Sequence, residues 1–89
     1  MENQELMRLC FQVAMIMKMA QNGETFGEEV VMFQNEKYLT PETVKRAVDQ
    51  WNPQKPSLEI ICSALHVGFK TGIFSVYQSG NIISYRQEI

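Results

Sequence analysis

The stretch from residue 3 to residue 22 sets the first constraint on any fold of this chain. Small and straight-chain residues dominate it, and Asn22-Gly23 supplies a stop signal, so it reads as one long helix. On a helical wheel, Leu6, Leu9, Cys10, Val13, Met17 and Ala20 make one apolar face. Arg8 and Gln12, with Glu5 beside them, mark a narrow polar strip. Met7, Phe11, Met15 and Met19 make a second apolar line at a constant spacing of four, winding across the remaining arc and into the strip. A helix with two apolar lines has to be covered on two sides, and a chain of 89 residues has few layers for that. Either residues 24–39 fold back over the second line and make it core, or the line is a homodimer seam or a groove for a partner helix. Methionine suits the latter use. Burying the four side chains releases roughly 6–12 kcal/mol gross against an association cost of about 4–15 kcal/mol, so the line alone fixes neither reading.

The remainder divides at proline and glycine. Glu29 to Phe33 has strand composition, Asn35-Glu36-Lys37 is turn-like, and Tyr38-Leu39 fits a second short strand. Residues 41–51 form the clearest helix. Thr40 is its expected N-cap, and Pro41 takes the first helical position, where a missing N–H costs nothing. Val44, Ala47, Val48 and Trp51 recur on one face, which places Trp51 in the core, while Asn52-Pro53 ends the helix. After the connection from Asn52 to Pro56, Ser57 caps a third helix running to about Lys70, with Gly72 as its stop. Gly68 inside that helix points to close packing. Residues 73–87 read as a hairpin. A two-residue loop at Ser79-Gly80 would pair Val76 with Ile83 and Phe74 with Tyr85. The expected organisation is one α+β domain over residues 1–89, with a long N-terminal helix (1–23), short strands and loop (24–39), a helix-loop-helix (40–72) and a β-hairpin (73–87).

Composition narrows the class. Hydrophobic residues make up 45% and charged residues 20%, which is globular and not disordered. Two cysteines, Cys10 and Cys62, are too few for a secreted disulfide scaffold and read as reduced core thiols. Glu2 and Glu5 precede any base, and Gln12 and Lys18 interrupt the apolar run, so the N-terminus does not read as a signal peptide. No stretch approaches the ~20 apolar residues that cross a bilayer. The expected location is cytoplasmic. The net charge of −2 conceals an asymmetry. In residues 1–36, Arg8 and Lys18 against six glutamates leave −4. In residues 37–89, six cations against Glu42, Asp49, Glu59 and Glu88 leave +2. That excludes a strongly basic nucleic-acid binder and permits a mildly basic face.

No catalytic set is visible, and neither a metal nor a cofactor is expected. His66 is the one histidine, and it falls on a polar helix face with Glu59, Ser63 and Lys70. Cys62 precedes it by four residues, but nothing completes a four-ligand set. Glu28 and Glu29 are adjacent and point apart on any regular element. Gly68 and Gly72 lack the lysine-hydroxyl ending of a phosphate loop.

From Tyr38 onward the order is short strand, helix, connection, helix, hairpin. Tyr38-Leu39-Thr40-Pro41-Glu42 opens the second helix, Ser57 to Lys70 forms the third, and Ile73 to Arg86 forms the hairpin. With the first helix in front, this order resembles the winged helix-turn-helix domains over about two thirds of the chain. The resemblance implies that Ser63, His66 and Lys70 face the major groove and that Lys45, Arg46, Lys55 and Arg86 touch phosphates. Two functions are then expected. One is a dimeric, DNA-binding transcriptional regulator that self-associates through Met7, Phe11, Met15 and Met19. The other is a protein-binding adaptor or inhibitor of viral or mobile-element type, whose acidic half and methionine-rich line engage a host protein.

Overall fold

Hydroxyl side chains start both helices of the second half. The computed structural model describes residues 3–21 and 30–88. In it, Thr40 and Ser57 have extended backbones, and their side-chain oxygens accept from the N–H of Thr43 at 3.3 Å and of Ile60 at 3.3 Å. Each satisfies a donor that the first helical turn leaves without a partner. The elements in chain order are α1 (Asn3–Gln21), β1 (Val30–Phe33), β2 (Glu36–Leu39), α2 (Pro41–Trp51), α3 (Leu58–Lys70), β3 (Phe74–Ser79) and β4 (Ile82–Gln87). The expected α+β class with three helices and a C-terminal hairpin is what forms. Asn22-Gly23 and Glu29, expected to end the first helix and begin the first strand, lie outside the described residues.

The strands make one antiparallel sheet in the order β1-β2-β4-β3. β2 lies beside β4, and β1 and β3 are the edges. The β1–β2 connection is Gln34-Asn35, not Asn35-Glu36-Lys37. Both residues are left-handed, with φ of 51° and 65°, as a type I′ hairpin turn requires. The β3–β4 loop is Gly80-Asn81, one residue later than expected. Gly80 has φ of +62°, and glycine at the first loop position is the mark of a type II′ turn. That shift moves the register by two. Val76 pairs with Tyr85 and Phe74 with Gln87, in place of Ile83 and Tyr85. Because the slip is even, Phe74, Val76 and Tyr85 still share a face.

The three helices cover that face. Leu9, Cys10, Val13, Ala14, Ile16 and Met17 of α1 meet Val44, Ala47 and Val48 of α2, Ile61, Ala64 and Leu65 of α3, Leu39 of β2 and Phe74 of β3, all buried. Gly68 allows the closest approach. A Cβ there would stand 2.1 Å from two atoms of the Phe74 ring. Gly72, at φ +82°, then ends α3. Its N–H donates to the Phe69 carbonyl at 3.2 Å, and the Ile73 N–H donates to the Gly68 carbonyl at 2.8 Å, which is the Schellman pattern.

Two expectations about burial are corrected. Trp51 shares the arc of Val44, Ala47 and Val48 yet is 59% exposed. It is the last residue of α2, a turn beyond the buried Val48, and the core ends before it. Cys10 is buried, but Cys62 is exposed, because it leaves the arc of Ile61, Ala64 and Leu65 that faces the core.

Candidate functional site

The α3 surface carries Ser63, His66 and Lys70, all exposed. The helix is oriented by its buried residues, so these three look outward, with Glu59 among them. The Ser63 hydroxyl donates to the Glu59 carbonyl at 3.1 Å. Glu59 and Lys70 leave the face near neutral. Cys62 is also exposed, and its thiol is pushed up from the usual thiol range by partial desolvation first and by the Glu42 carboxylate second. Among the described residues, no three His, Cys, Asp or Glu side chains come together as a metal site would need.

The cations expected to flank α3 are spread and partly occupied. Lys45 donates to both Asp49 oxygens, at 3.0 and 3.1 Å, and to the Pro56 carbonyl at 3.1 Å. It braces the α2–α3 connection. Arg86 lies on the sheet face away from the helices, with a side chain only 21% exposed. Its guanidinium binds the Glu36 carboxylate at 2.7 Å and lies 3.9 Å from Glu88. Arg46 is exposed, with its guanidinium 3.5 Å from the Thr43 hydroxyl. Lys55 is exposed in the connection at φ 47°. The structure thus gathers Ser63, His66 and Lys70 on one face and holds Lys45 and Arg86 in internal ion pairs. Asp49 stands four residues after Lys45, a helical pairing that the spacing alone reveals. Glu36 and Arg86 stand fifty residues apart, and only the sheet order joins them.

The second apolar line of α1 divides. Met7 is half-buried, and Met19 packs in part against the core. Phe11 is 57% exposed and Met15 67%. The described strands therefore do not close over the middle of the line. The solvent face itself runs through Gln4, Arg8, Phe11, Met15 and Lys18, all exposed. Its spacing alternates four and three, not a constant four. Arg8 belongs both to a polar cleft with Glu5, Gln12 and Asn52 and to a shallow apolar depression with Gln4, Met7 and Phe11. In the cleft, the Asn52 side-chain amide donates to the side-chain oxygen of Gln12 at 3.1 Å and ties α1 to the end of α2.

On the sheet face away from the helices, an aromatic cluster forms that no local pattern announces. Phe33 stacks on Tyr77 with centroids 4.2 Å apart, and Tyr38 stands 5.7 Å from Tyr77. Ser84, the register partner of Tyr77, is fully buried on this face, and its hydroxyl donates to the Tyr77 carbonyl at 3.1 Å. Among the described residues, no helix is long and apolar enough to cross a membrane. No protein family, curated protein or solved structure matches the chain.

Proposed function

We propose that the protein is a non-catalytic protein-binding module, an adaptor or inhibitor, that meets its partner through the solvent face of α1. The observation that carries this reading is the exposure of Phe11 and Met15 side by side on a helix whose opposite face is core. Leaving such side chains in water forgoes roughly 1.5–3 kcal/mol each, and contiguous exposed apolar surface marks interaction sites. The near-neutral α3 face and the internal pairing of Lys45 and Arg86 also favour a protein over a polyanion. A cytoplasmic setting belongs to this reading and is supported by two unpaired thiols, as a reducing compartment keeps them.

The winged-helix-like order favours a second reading, a dimeric DNA-binding transcriptional regulator. It is supported by Ser63, His66 and Lys70 standing exposed on one face of the helix that precedes the hairpin. Three exposed cations per protomer, Arg46, Lys55 and Lys70, would neutralise six phosphates in a dimer. The logarithm of affinity would then fall with the logarithm of salt at a slope of about −5. The deciding experiment incubates the protein with a randomised duplex pool near physiological salt, beside sedimentation of the same sample. We expect no duplex to be retained. Retention with that slope, weakened alike on all sequences by Arg46→Glu, would replace the protein-binding reading with the regulator.

A further inference from the structure

We infer that the partner of α1 is an acidic amphipathic helix and not a second copy of this chain; the inference rests on the protein-binding reading above. The exposed seam of α1 repeats every seven residues through Gln4, Arg8, Phe11, Met15 and Lys18. That is the spacing by which one helix lies along another. Its centre is the apolar pair Phe11 and Met15, and its ends are cationic. Arg8 and Lys18 are both exposed, and among the described residues neither takes part in an ion pair. Two exposed cations thus bracket an apolar centre on a chain whose net charge is −2.

This arrangement disfavours self-pairing. An antiparallel copy centred between Phe11 and Met15 brings Arg8 opposite Lys18 of the second copy. A parallel copy brings Arg8 against Arg8 and Lys18 against Lys18. Either way like charges meet at both ends of the apolar contact, and like charge across a helix pair selects against that pairing. A helix with apolar residues at i, i+4 and i+7 and carboxylates beyond them satisfies both ends. One of its apolar side chains fits the shallow depression of Gln4, Met7, Arg8 and Phe11, which puts an adjoining carboxylate within reach of the Arg8 guanidinium. Helix-in-groove recognition of this kind takes its affinity from the apolar anchors and its choice of partner from the flanking charge.

The test uses the full chain and two fluorescently labelled synthetic helical peptides with the same apolar pattern, one flanked by glutamates and the other by lysines. Binding is read by anisotropy at low and at high salt. The glutamate peptide should bind about tenfold more tightly at low salt, as two exposed charge contacts allow, and the gap should narrow as salt screens it. Replacing both cations, Arg8→Glu with Lys18→Glu, should reverse the preference, and Met15→Glu should abolish binding of both peptides while circular dichroism stays native. Equal binding, or preference for the lysine peptide, overturns the inference. So does the absence of binding to either. In that last case, a wild type that sediments as a monomer would leave the protein-binding reading standing with a partner of other chemistry, whereas a wild-type dimer made monomeric by Met15→Glu would assign the seam to a second copy and remove that reading as well. Retention of duplex DNA in the preceding experiment would remove both.

Discussion

Gly68 shows how much one position can constrain. Its neighbour across the helix–sheet contact is the Phe74 ring, itself only 3% exposed, so an added methyl at 2.1 Å has no flexible chain end to push aside. Gly68→Ala should therefore cost about 1–3 kcal/mol from overpacking, despite the gain in helix propensity. A lowered urea midpoint with an unchanged slope would show it, and an unchanged midpoint would place the ring elsewhere. Trp51 is the opposite case. At 59% exposure it contributes little to the core, whatever its size. Cys62 is the accessible thiol, and its reactivity is governed by charge as well as access. Partial desolvation and the Glu42 carboxylate both keep the proton on sulfur, so alkylation near neutral pH should be slower than that of a free thiol. Glu42→Gln removes the second cause and should quicken it. A rate indifferent to that substitution would mean that Glu42 does not reach the sulfur.

Among the elements, α2 and α3 begin with the same device in different surroundings. Thr40 is buried, and its hydroxyl lies 3.1 Å from that of the fully buried Thr43. Ser57 caps in the open. Thr40→Ala should cost about 1–2 kcal/mol and Ser57→Ala nearer 0.5 kcal/mol, because only the first leaves a buried group short of a partner. Thermal denaturation of the two variants side by side checks the order; equal losses would contradict it. These starts were legible from hydroxyl and proline placement, as was the end of α3 from Gly72, because capping is local chemistry. The level of Trp51 was not legible, since a helical wheel has angles but no axial coordinate. The hairpin register was misplaced by two because alternation fixes a strand's faces and not its partner. The α1 seam was half legible. Wheel position separated the buried arc, but the cover over Phe11 and Met15 depends on where other elements lie. The pairing of Arg86 with Glu36 waits on the sheet order, which adjacent residues do not encode.

At the scale of the whole molecule, three described groups link stability to alkaline pH with one sign. Burial raises the Cys10 thiol, desolvation and Glu42 raise Cys62, and burial followed by Cys62 raises Tyr85. Each of these groups holds its proton more tightly folded than unfolded. The stability they contribute is complete below the ordinary thiol value of 9.0 and is lost as pH rises through the higher folded values. Urea midpoints should thus hold up to the thiol value of 9.0 and decline as pH rises past it, and less so for Glu42→Gln; a midpoint that rises over this interval would contradict the assignment. The hairpin carries a different consequence for the same molecule. Since only the parity of its tip decides which side chains the helices receive, the β3–β4 arm can lengthen or shorten by pairs of residues and still deliver Phe74 to Gly68. Insertions of two at Gly80-Asn81 would be inherited as changes of reach with the register kept, and an insertion of one would keep it only through a bulge or a three-residue loop.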